Sequence, residues 1–175
     1  MTLDKSSGAI SGTPTKAASA SVTITAPPQG TTTKNQQTFT LTIHKGAADL
    51  GTLKVTNGGT KTTTFTYGDT ITVSGTIKAS GTAPQANTLA APGKNQAALL
   101  LGGTQLTDPV AVAGNGSFTI SYKTSEKGIQ TTGQAQILTV KYGGSDDLNE
   151  GSAACSITLN PKKVQAEVDG AITKP

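Results

Sequence analysis

The sequence predicts an all-β chain built as a β-sandwich, and three observations carry that prediction. The first is the stretch 135–159, AQILTVKYGGSDDLNEGSAACSITL. Leu138, Val140 and Tyr142 alternate with Thr139 and Lys141, while Ala153, Cys155, Ile157 and Leu159 alternate with Ala154, Ser156 and Thr158. Alternation with period two marks half-buried strands, one face in a core and one in water. The GGSDDLNEG between them is made of turn formers and acids. The second is composition: Gly, Thr and Ser abound, charged residues make up only 14%, and no run of helix formers exceeds a turn or two. The third is punctuation: Pro27, Pro28 and Gly30, then Gly68-Asp69, then Asn115-Gly116 separate short alternating runs.

From the N-terminus, residues 19–26 (SASVTITA) carry Val22 and Ile24 on one face, and residues 38–43 (TFTLTI) carry Phe39, Leu41 and Ile43. The polar PPQGTTTKNQQ joins them. Three short strands at this end are too few to bury a full core. Leu53 and Val55 begin the next strand. Phe65 and Tyr67 then lead through Gly68-Asp69 into TITVSGTI, where Ile71, Val73 and Ile77 share a face with Gly75 among them. After a long loop, 79–95, QAALLLGG is apolar on both faces, as a central sandwich strand can be. Val110 and Val112 form a strand, Asn115-Gly116 makes a hairpin turn, and Phe118, Ile120 and Tyr122 return. Tyr67, Tyr122 and Tyr142 each alternate with core residues. The 135–159 hairpin closes the unit.

Composition excludes several function classes. Hydrophobic residues reach 34% and aromatics 3%, with no Trp, so the core is aliphatic and thin and suits a small sandwich better than a deep-pocketed enzyme. The net charge of +4 comes from Lys alone, scattered along the chain and without any Arg. Bidentate contacts to phosphate or guanine are therefore missing, which argues against a nucleic-acid partner. Cys155, the single cysteine, has no partner for an internal disulfide and sits in phase with Ile157 and Leu159, as a buried structural thiol would. No apolar run is long enough to span a membrane, and Met1 begins no signal-peptide pattern.

Two resemblances follow from these residues. The Leu3-Asp4 turn, Ser7-Gly8, then Ala9-Ile10-Ser11-Gly12-Thr13-Pro14 and a strand pair, together spanning most of 2–43, resemble the second half of a bacterial immunoglobulin-like (cadherin-like) surface repeat. Phe65-Thr66-Tyr67-Gly68-Asp69-Thr70-Ile71-Thr72-Val73, then Gly116-Ser117-Phe118-Thr119, then the pattern over 139–148 resemble, in that order, the bacterial Ig-like repeats found in tandem on surface proteins. The resemblance implies an all-β chain: an Ig-like β-sandwich module preceded by a partial one. Residues 1–45 would be the C-terminal half of an Ig/cadherin-like repeat, 46–161 a complete bacterial Ig-like domain, and 162–175 the start of a further repeat or a tail. The chain would then be an excerpt from a longer array, its neighbours being modules of the same kind.

Each candidate site residue also has a plain structural reading. His44 stands alone beside Lys45, with no nucleophile motif to serve, so a surface histidine is expected there. Asp146, Asp147, Asn149 and Glu150 put several hard oxygens on one turn that Ca²⁺ could use, although the spacing is not that of a calcium loop. A solvated polar turn is the competing reading. Adjacent carboxylates on a loop do not face each other across a substrate, as a glycosidase pair must. An intramolecular isopeptide bond, a feature of some surface Ig-like domains, would pair Lys54 or Lys141 with Asn160. Both lysines lie out of phase with their apolar neighbours and are expected to point to water. The sequence thus points to a non-enzymatic, extracellular structural segment without a cofactor. The alternative is an adhesin module that recognises a glycan or a host protein.

Overall fold

A computed structural model describes residues 2–26, 35–80, 94–126 and 129–162. Every regular element among them is a strand. The N-terminal part holds β1 (Thr2–Leu3), β2 (Ile10–Ser11), β3 (Ala18–Ala26) and β4 (Asn35–Ile43), followed by β5 (Ala48–Asp49). Next come β6 (Lys54–Asn57), β7 (Thr60–Lys61), β8 (Thr64–Thr66), β9 (Thr70–Thr76), β10 (Lys78–Ala79) and β11 (Gln96–Leu101). The chain continues with β12 (Thr104–Gln105), β13 (Val110–Ala111), β14 (Ser117–Lys123), β15 (Ala135–Tyr142) and β16 (Gly151–Asn160).

Two sheets make the sandwich. One runs β14-β9-β6-β7; the other runs β12-β11-β15-β16-β8, with β13 also on β11. The stretch 54–66 serves both: β6 pairs antiparallel with β9, whereas β8 pairs parallel with the end of β16, Thr64 opposite Thr158. A first strand shared between two facing sheets, with β15 and β16 as the central pair of the second, is the immunoglobulin-like arrangement. The inward faces are the predicted ones. Phe65, Ile71, Val73, Leu138, Val140 and Leu159 are essentially without solvent contact, and each such side chain stabilises the fold by about 1.5–3 kcal/mol. All the buried apolar residues of the core lie between Leu50 and Leu159, and none comes from β1–β4.

Tight turns set the registers. Gly58-Gly59 and Gly102-Gly103 all take positive φ, joining β6 to β7 and β11 to β12 by two-residue hairpins whose twist matches the strands. The expected Asn115-Gly116 turn is built differently. Its central residues are Gly114 and Asn115, closed by Gly116 N–H donating to Ala113 C=O at 2.8 Å, and Gly116 follows at φ +82°. The strand before it does not return against β14. Val112 N–H bonds Asn95 C=O, so β13 stays on β11 and the turn carries the chain from one sheet to the other.

Tyr67 is also corrected. It is 45% exposed, because β8 ends at Thr66 and Gly68, at φ +99°, turns the chain. That turn is held by Thr124, a residue without any sequence signal. Its buried hydroxyl accepts from Gly68 N–H at 2.8 Å and donates to the carbonyls of Thr66 and Asp69 at 3.0 Å. β4 begins at Asn35, three residues before the expected start, because Gln36 still pairs across to Thr25. Cys155 is half-buried, not fully buried. Of the expected long loop 79–95, Ala79 ends β10 and Asn95 is buried just before β11, while 81–93 lie outside the described residues, as does all but Lys162 of the expected further repeat or tail at 162–175.

Candidate functional site

The polar loop between β15 and β16 is a folded clasp. Gly144 at φ +80° starts it, since a Cβ there would crowd the Leu148 carbonyl at 3.1 Å. Ser145, itself buried, closes a tight turn: its N–H donates to Leu148 C=O at 2.9 Å, and its hydroxyl accepts from Asp147 and Leu148 N–H. Leu148, the one large apolar residue of the loop, is buried in the sandwich core and anchors the turn there.

With Leu148 fixed, the neighbouring residues face the N-terminal part. Gly46 N–H donates to Asp147 C=O at 2.9 Å, Asn149 N–H donates to Gly46 C=O at 2.8 Å, and Gly46 and Leu148 form a parallel bridge. The Asp147 carboxylate accepts from Ala17 N–H at 2.9 Å, and Lys45 Nζ donates to Ser145 C=O at 2.6 Å. Residues from 17 to 149 thus meet in one seam where the β3–β4 hairpin runs into the sandwich. A cleft of about 150 Å³ lies along it beside Lys16, His44 and Leu148, well under the roughly 300–1,000 Å³ of ordinary small-molecule sites. His44 is exposed at its rim.

The four predicted calcium-ligand residues are distributed along this clasp. Asp146 turns away to Lys94, with Nζ and Oδ1 2.9 Å apart, and the ammonium holds its carboxyl below the usual carboxylate range. Both side chains are largely exposed, so the pair contributes little stability. Asp147 is engaged by Ala17, and Asn149 donates weakly to Lys45 C=O at 3.5 Å. Glu150 follows at the start of β16, exposed. Among the described residues, no three His, Cys, Asp or Glu side chains gather closely enough to hold a metal ion. The isopeptide pairs are not brought together either. Lys54 lies on β6 in the other sheet, and Lys141 stands opposite Ser152, eight residues along β16 from Asn160, which is about 27 Å of strand.

A second polar knot supports the clasp from the core side. Asn95 is buried at φ +55°; its N–H donates to Gly144 C=O and its side-chain amide donates to Val112 C=O at 3.0 Å. Its Oδ1 accepts from the Tyr142 hydroxyl at 2.9 Å, and burial pushes the Tyr142 pKa up. Nothing in the local sequence marks Asn95 or Ala17 for these roles. The usable signal was Leu148, a lone leucine among turn formers.

Comparison with known proteins supports an Ig-like repeat at the N-terminal end. A family model described as "Putative Ig domain" matches residues 1–44. No curated protein and no solved structure matches the chain.

Proposed function

We propose that this chain is a non-enzymatic spacer segment of a multi-domain bacterial surface or secreted protein, holding other parts of that protein at a fixed distance and angle. The clasp is the observation that carries this reading. A polar loop anchored by Leu148 is bonded through Asp147, Gly46, Lys45 and Ala17 into a joint between consecutive β units, and of its acids Asp147 is the one whose carboxylate is engaged there. Inter-unit motion is the default where contact is small and polar; here five hydrogen bonds and the buried Leu148 side chain oppose it, as a segment that fixes distance and angle requires. The Ig-like match over 1–44 supports a structural or adhesive module, and an Ig-like sandwich is ordinarily a scaffold. No helix of the described residues is long and apolar enough to cross a membrane. In this reading, calcium at 146–150 would have to displace Lys94 and Ala17 from their carboxylates.

The test is a binding screen of the purified chain against glycan and extracellular-matrix arrays, with and without calcium. A spacer gives no saturable signal in either condition. Saturable binding that survives competition by salt would replace the spacer reading with an adhesin, and calcium dependence would place the ligand at the clasp.

A further inference from the structure

We propose that Asn57 is a site of spontaneous covalent modification, losing its side-chain amide by ring closure onto Gly58, and that the fold withholds Asn115 from the same reaction. The chain contains two Asn-Gly steps, Asn57-Gly58 and Asn115-Gly116. In each, the glycine nitrogen is placed to attack the asparagine Cγ, and glycine has no Cβ to crowd the approach. The local sequence makes the two steps equivalent. At Asn57, Gly58 N–H gives its proton to hydroxide, a new N–Cγ bond closes a five-membered succinimide, and the Cγ–Nδ2 bond breaks to release ammonia. Water then opens the ring. Attack at Cγ leaves an aspartyl residue, whereas attack at the main-chain carbonyl carbon leaves an isoaspartyl residue, with the chain running through the former side chain. Either way one water enters and one ammonia leaves, with no redox step.

The folded chain treats the two steps differently. Asn57 ends β6 and pairs with Thr60 across the Gly58-Gly59 turn, at the tip of a ladder only two residue pairs long. Such a hairpin end opens at low cost. Gly58 is exposed, and nothing lies within 4 Å of where its Cβ would stand. Among the described residues, no hydrogen bond holds Gly58 N–H or the Asn57 side-chain amide. Asn115 is held on both sides of the reaction. Its Oδ1 accepts from Ser117 N–H at 3.0 Å and from Ser117 Oγ at 2.7 Å. The nitrogen that would attack belongs to Gly116, whose N–H donates to Ala113 C=O at 2.8 Å. Gly116 is itself buried, and its C=O accepts from Ile77 N–H at 2.8 Å. Each hydrogen bond that must break favours the unreactive form by about fivefold, and Asn57 has only its terminal pair with Thr60 to release. The product carboxylate lowers the net charge of +4 by one. An isoaspartyl link also adds a methylene to the backbone at position 57, which breaks the register with Thr60 and frees β7. The pairing of β6 with β9 covers Lys54 to Thr56 and stops short of that position, so the sandwich survives the change. The inference does not depend on the chain being a spacer.

Peptide mapping by mass spectrometry, on the full chain held for graded times in warm, mildly alkaline buffer, tests it. Mass and retention time separate the succinimide, aspartyl and isoaspartyl products. In the folded chain, products at position 57 should accumulate at least about tenfold faster than at position 115. In chain unfolded by guanidinium, the two rates should come within about threefold, because only the local sequence then matters. Ser117→Ala removes one of the bonds on Asn115 Oδ1 and should raise the rate at 115 by about fivefold while leaving 57 unchanged. Equal rates at the two positions of the folded chain overturn the inference, as does faster reaction at 115. So does an Asn57 that stays intact in the folded chain after the unfolded chain has reacted at both positions. An unchanged rate at 115 in a folded Ser117→Ala variant contradicts the protection argued for Asn115 and overturns the inference as well.

Discussion

At the scale of single residues, the fold depends on a few side chains whose polar atoms have one place to go. Tyr142 donates to Asn95, which in turn holds Val112. Tyr142→Phe leaves a buried acceptor unpaired and should cost about 1–2 kcal/mol in urea denaturation. Gly116 has φ +82°, and a Cβ there would run into the Ile77 carbonyl, so Gly116→Ala should cost about 2 kcal/mol or more by the same measurement. Burial raises the pKa values of Tyr142, Tyr122 and Cys155 in the folded chain. Each folded group then keeps its proton at a pH where the unfolded one has lost it. Their contribution is complete below the unfolded values and is lost as pH rises through and beyond about 9–10. Chemical denaturation between pH 7 and 11 should show stability falling above about pH 9, with a shallower fall in Tyr142→Phe. The period-two pattern made Tyr142 legible as a core residue. It could not give its partner, because Asn95 lies 47 positions away and nothing local prefers that contact. Tyr67 shows the opposite failure: it keeps the alternation of Phe65 but comes after the strand has ended.

At the scale of elements, the 143–149 loop divides its work between Leu148 and Asp147. Leu148→Ala removes a buried anchor and should cost about 2–4 kcal/mol. Asp147→Ala removes one acceptor at a partly exposed seam and should cost no more than about 1 kcal/mol, yet it should raise amide exchange at Ala17 selectively. Hydrogen exchange read by NMR checks both. If Asp147 serves the joint, millimolar calcium leaves the melting temperature unchanged; a rise that Asp147→Ala abolishes would return the loop's acids to a cation site. Strand existence and facing were legible because one buried face writes its period into the chain. The parallel pairing of β8 with β16, the sheet change at 113–116 and the clasp were not, because each depends on contacts between distant segments. Leu148 alone hinted at the last.

At the scale of the whole molecule, a closed sandwich with an aliphatic core carries a two-stranded hairpin that the core does not include, and the clasp is what joins them. The geometry suits transmission of position: the hairpin ends at Ile43, and within three residues Gly46 is bridged to Leu148 inside the neighbouring unit. The seam therefore decides whether this chain behaves as a rigid spacer or as two loosely tethered parts. The direct measurement is electron–electron distance spectroscopy between spin labels at Thr40→Cys on the hairpin and Thr119→Cys on the sandwich. Cys155 is replaced by Ser, and the labelled protein is diluted into unlabelled chain. A rigid joint gives one narrow distance distribution, which broadens when Lys45→Ala and Asp147→Ala are combined. A distribution already broad in the unaltered seam, and unchanged by those substitutions, would contradict the spacer account.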